Sequence, residues 1–168
     1  MSVTTADLQT ALWAAWTAGE LPAKFTVLWD VADVTGFTTL HDQEASPGQP
    51  FPYCVLDQLR PATLDRMTGA AGYLQEVRDV TLLLHIYADE VTGDSRSAKQ
   101  IAAYLAEEVM KVFGGHPITA ATQTLTLTSG GTLLVLYQND FGIRLDADKW
   151  EWQLEYLLKV DVPVRITA

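Results

Sequence analysis

The sequence has 168 residues and a formal net charge of −10, from 21 acidic and 11 basic residues, and it contains one cysteine. This length predicts one domain with an ordinary hydrophobic core, and the absence of any run of eighteen apolar residues argues against a membrane span. The lone cysteine excludes an internal disulfide framework, and the scattered basic residues argue against a protein that grips nucleic acid, which normally needs a basic stripe.

The N-terminal part of the sequence predicts one helix followed by a long segment with little pattern. A helix is expected over residues 5–18, because its apolar residues recur at helical spacing and Gly19 follows the last of them. Residues 25–29 favour a short strand. From about residue 30 to 52 the sequence is rich in turn residues. We interpret this stretch as an irregular arm that either contacts a partner or is simply mobile.

The middle of the sequence predicts two strands separated by a second irregular arm. Residues 53–57 are rich in β-forming side chains and follow the extended Phe51-Pro52 dipeptide. Residues 60–72 contain proline and glycine and are expected to be irregular. Residues 73–89 then alternate with a period of two, which predicts a long strand. Both faces of this strand carry apolar residues, so we expect it to be covered on both sides for part of its length.

The stretch from about residue 95 to 113 predicts a central helix around which the other elements pack. Asp94 or Ser95 can cap its first turn, and Gly114 suits a left-handed C-terminal cap. Its apolar residues recur at steps of three and four and form one stripe. The stripe consists of Ile101, Ala102, Leu105, Val109, Val112 and Phe113.

The C-terminal part of the sequence predicts a hairpin and a long closing strand. Residues 124–128 and 132–136 are β-rich and flank the short turn 129–131, which contains two glycines. Residues 150–164 alternate cleanly between apolar and polar side chains. Because this run is longer than a typical strand, we expect a bend or an overhanging end. Pro163 indicates that this end lies at an edge of the sheet.

Together the predicted elements form a single α+β domain over residues 1–168. The expected architecture is a mixed, mainly antiparallel β-sheet packed against two main helices. The five tryptophans suit either the core or an interface. The first residues lack the basic and apolar regions of a signal peptide, so synthesis without secretion is expected.

Histidine and cysteine residues give no sign of a catalytic or metal site. His41, His85 and His116 do not lie at a ligand-like spacing from one another or from Cys54. A cysteine on a strand is more often a small core residue than a nucleophile. We therefore predict no catalytic, cofactor-binding or metal-binding residue, and no cofactor.

Two short motifs resemble known sites but lack their required partners. Asp146 and Asp148 are spaced as at the start of a calcium loop, yet Trp150 and Glu151 stand where an oxygen ligand and a glycine are needed. Residues 140–142 match a kinase tripeptide, but the other kinase motifs are missing. We interpret residues 140–142 as a turn.

The order of these elements resembles the tail terminator (tail completion) proteins of long-tailed bacteriophages. The resemblance covers the first helix and most of the chain from Phe51 to Val164, and it lies in the order of elements. The residues that carry it are Phe51-Pro52-Tyr53-Cys54-Val55-Leu56-Asp57-Gln58, the strand end Ile86-Tyr87-Ala88-Asp89, the helix headed by Ser95 and Ala98, and the closing strand around Trp152, Leu154 and Tyr156. The segment from 20 to 50 is longer than expected for this family.

The resemblance implies a structural protein of the phage neck, without enzymatic activity. The family implies a mixed sheet packed on helices and a homohexameric ring at the head-proximal end of the tail tube, in the virion, assembled after synthesis in the bacterial cytoplasm. Its partners would be other copies of itself, the major tail tube protein and the head–tail connector or stopper protein. Genome DNA would pass through the lumen without sequence-specific binding, and no membrane would be involved.

Two other classes of function remain open from the sequence. The first is another neck component, such as a head-completion or head–tail connector protein. The second is an enzyme or a small-molecule binding module, which would show a deep apolar pocket with convergent polar groups.

Overall fold

The computed structural model describes residues 5–24, 26–27, 52–68, 73–90, 94–118, 122–128 and 130–165. Within them the chain forms two α-helices, a short 3-10 helix at Leu21–Ala23 and six strands. The helices are α1 (Thr5–Ala18) and α2 (Ala98–Phe113). The strands are β1 (Thr26–Val27), β2 (Tyr53–Thr68), β3 (Tyr73–Asp89), β4 (Thr122–Thr126), β5 (Thr132–Arg144) and β6 (Lys149–Arg165). No helix in these ranges is long and apolar enough to cross a membrane.

All six strands belong to one sheet in the order β1-β2-β3-β6-β5-β4. The short β1 pairs with β2 in parallel, and every other neighbouring pair is antiparallel. Buried residues of both helices and of the sheet form one hydrophobic cluster. The prediction of an α+β fold with a mixed, mainly antiparallel sheet packed against two main helices is therefore confirmed.

Alternating apolar residues in β3 and β6 form the part of the sheet that the helices cover. The register places Val80 opposite Leu158, Leu82 opposite Tyr156 and Leu84 opposite Leu154, and all six side chains are buried. Each such side chain contributes roughly 1.5–3 kcal/mol when it is fully buried. A shift of one residue would move every one of them to the other face, so the apolar alternation fixes this register.

Helix α2 begins at Ala98, because Ser97 caps it and not the predicted Asp94 or Ser95. Ser97 accepts a hydrogen bond from the backbone N–H of Gln100, whose side-chain oxygen accepts one from the N–H of Ser97. This reciprocal capping box satisfies two N–H groups at the start of the helix. Asp94 instead pairs with Arg96. The prediction that Asp94 or Ser95 caps this helix is therefore wrong.

A chain of aromatic contacts joins the two helices to the sheet. The ring of Trp16 on α1 lies 6.3 Å from that of Phe113 on α2, and Phe113 lies 6.1 Å from Tyr156 on β6. The hydroxyl of Tyr156 donates a hydrogen bond of 3.0 Å to the carbonyl oxygen of Gly114. Gly114 has a φ of 104° and a ψ of 163°, so it ends α2 in an extended backbone conformation that favours glycine, not in the predicted left-handed cap.

The prediction of a second irregular arm at residues 60–72 is wrong for most of this stretch. Residues 60–68 continue β2, and residues 69–72 lie outside the described part of the chain. Pro61 indicated a loop, but β2 is paired with β3 through Thr68, with register shifts on both sides of Pro61. An edge strand with a bulge tolerates proline because one side of it needs no ladder hydrogen bond.

The remaining predictions of strands have mixed outcomes. The hairpin and the closing strand are confirmed, and Pro163 does lie at an edge, because β5 pairs with β6 only as far as Asp161. Residues 140–142 are not a turn, since they lie within β5. Of the predicted strand at 25–29, residues 26–27 form β1, and most of the first arm, 30–51, lies outside the described residues.

Candidate interaction surfaces

The residues considered for catalysis lie apart in the fold. Cys54 is fully buried opposite Ile86 on the helix-covered face, and burial raises the pKa of its thiol, so the nucleophilic thiolate is disfavoured. His85 lies at the next position of β3 and therefore on the other face of the sheet. The ring Nδ1 of His116 accepts a hydrogen bond from the N–H of Ile118, and His41 lies outside the described residues.

The described residues contain no group of three or more His, Cys, Asp or Glu placed to hold a metal ion. Asp146 and Asp148 lie in the turn between β5 and β6. The carboxylate of Asp146 accepts a hydrogen bond of 2.7 Å from the N–H of Ala147, and its carbonyl oxygen accepts one of 3.2 Å from Nε of Arg144. These contacts shape a hairpin turn.

A polar cluster lies on the face of the sheet away from the helices. The buried carboxylate of Glu151 lies 2.5 Å from Nδ1 of His85 and accepts a hydrogen bond of 2.7 Å from the amide of Gln153. The ring of His85 also stacks with that of Tyr87, with centroids 6.4 Å apart. Because a buried carboxylate is costly unless it is hydrogen-bonded, these contacts stabilise the pairing of β3 with β6. No local pattern in the sequence indicates this cluster, because it depends on the register between β3 and β6.

A second cluster anchors the far half of β5 to β6. The carboxylate of Asp140 accepts a hydrogen bond of 2.8 Å from the indole N–H of Trp152 and another from the hydroxyl of Tyr137. Burial, together with the hydrogen bond to Asp140, raises the pKa of Tyr137 to about 12. A Cβ on Gly142 would lie 2.8 Å from the Trp152 ring, so glycine lets that ring lie across the strand.

Basic residues that are far apart in the sequence meet on the outer surface of α2. Lys24 Nζ lies 5.9 Å and Arg96 Cζ 5.4 Å from the ring centroid of Tyr104, a distance at which cations attract an aromatic face. Glu108 lies 2.8 Å from Lys24 and 2.5 Å from Lys111, and these two hydrogen bonds lower the pKa of its carboxyl group. Arg96 pairs with Asp94, so each of these three bases lies beside a carboxylate.

Two strand edges complete the surfaces available for interaction. On one side of the sheet, the described residues of β1 pair with Tyr53 and Cys54 of β2. On the other side, β4 pairs with Thr132–Leu136 and leaves the rest of β5, residues 138–144, with β6 as its one described neighbour. We call the stretch 138–144 the open edge of β5. Backbone N–H and C=O groups along such edges are ready to pair with a further strand.

A scan against protein-family models finds no match, and a search of curated proteins finds none either. The order of elements and these surfaces are therefore the features that bear on function.

Proposed function

We propose that the protein is a structural component of the neck of a long-tailed phage, where it forms a ring that caps the tail tube. The ring ends polymerisation of the tube and provides the surface on which the head docks. The observation that carries this proposal is the order of elements from Phe51 to Val164, which resembles that of tail terminators. The sheet of β2, β3, β6, β5 and β4 with its helices on one face agrees with the architecture that this resemblance implies.

Such a protein works by presenting different binding surfaces to the tail tube and to the head. A tail tube grows by adding rings whose upper surface matches the lower surface of the next ring, a heterologous contact that does not end by itself. A terminator binds the growing end and presents a different surface above it. This requires a rigid domain with at least two separate interaction surfaces, and the open strand edges and the outer surface of α2 are candidates for them.

The charge of the chain supports a role in which DNA passes without binding. The formal net charge is −10, and the bases around Tyr104 are paired with Asp94 and Glu108. Because affinity for DNA comes largely from neutralising phosphates with free cations, a lumen formed by this chain would repel the genome more than retain it.

Deletion of the gene from a phage that encodes it tests the proposal. The expected result is DNA-filled heads without attached tails, together with tail tubes of abnormal length, as seen by negative-stain electron microscopy. Purified protein added to stalled tubes should cap them. If the deletion gave heads that leak DNA beside tails of normal length, the protein would be a head-completion component instead.

A further inference from the structure

We draw no further inference here: the strongest candidate, the open edge of β5 at residues 138–144, has β6 as its one described neighbour, and nothing in the described part of the structure shows what covers it.

Discussion

The two halves of β5 differ in what surrounds them. Residues Thr132–Leu136 lie between β4 and β6, and the side chains of Leu133 and Val135 are fully buried in the core. The open edge, 138–144, has β6 on one side, and five of its seven side chains are exposed. A register shift between Tyr137 and Asn139 separates the halves. Apolar burial thus holds the first half, whereas the hydrogen bonds of Asp140 hold the second.

This difference suggests that the first half of β5 stabilises the fold, whereas the second half is available for assembly. The first half contributes to the core that keeps the domain folded, and changing it should unfold the protein. Among the described residues the second half has β6 as its one neighbouring strand, so it can gain a neighbour without unfolding the domain. The following predictions test this division in order of decreasing effect.

The largest effect is expected from placing the same charge in each half of β5. Leu133→Asp should abolish folding, because an unpaired buried carboxylate costs several kcal/mol, comparable with the whole stability of about 5–15 kcal/mol of a domain. Phe141→Asp should retain the fold, because Phe141 is largely exposed. Circular dichroism and thermal unfolding measure both. Similar melting temperatures for the two variants would show that the halves are not different.

A moderate effect is expected at the carboxylate that holds the second half. Asp140→Ala leaves the indole N–H of Trp152 and the hydroxyl of Tyr137 without their acceptor. We expect a loss of about 1 kcal/mol in the free energy of unfolding, because both donors are partly buried and lose their acceptor. Asn139→Ala is the control, since Asn139 is exposed. Urea denaturation distinguishes them, and an unchanged midpoint for Asp140→Ala would mean that the cluster does not stabilise the edge.

A smaller effect is expected at the start of α2, the helix that covers the first half. Ser97→Ala removes the capping box with Gln100 and should cost about 1 kcal/mol. Ser95→Ala, two residues earlier and exposed, should have almost no effect. Thermal unfolding of the pair decides between the two serines. A larger loss of stability for Ser95→Ala than for Ser97→Ala would show that Ser95 caps the helix.

The smallest expected effect is a loss of stability in alkali caused by ionisation of two tyrosines; at neutral pH these tyrosines should not change the stability. Burial raises the pKa values of both Tyr137, to about 12, and Tyr156. A group whose folded pKa lies above its unfolded value stabilises the fold fully below the unfolded pKa of about 10 and loses this contribution as the pH rises further. Stability should therefore fall between about pH 10 and 12. Tyrosinate absorbance that titrates completely near pH 10 in the folded protein would contradict this.

The sequence predicts the covered region of this fold well. The alternation in residues 73–89 and 150–164, the apolar stripe of α2 and the two glycines of the hairpin turn each reflect burial or backbone geometry that a local pattern encodes. These elements form the core found in the structure. Strand length was harder to predict. Strand β2 continues through Pro61 because it pairs with β3, and this pairing is not encoded in the local pattern of residues 60–68.

The surfaces could not be predicted in the same way. The residues that meet around Tyr104 and around Glu151 come from separate elements, and their contacts depend on tertiary packing and register. Residues 140–142 carry glycine and aspartate, which favour a turn. In the structure these residues belong to β5. Gly142 leaves room for the Trp152 ring, and the carboxylate of Asp140 accepts a hydrogen bond from its indole N–H.

Amide hydrogen exchange at single-residue resolution across β5 tests the central claim most directly. It should be measured for the free protein and for protein bound to stalled tail tubes. We predict that amides within 138–144 that exchange freely in solution become protected on assembly, while Thr132–Leu136 remains protected in both states. Unchanged exchange of 138–144 in the tube-bound state would contradict the account.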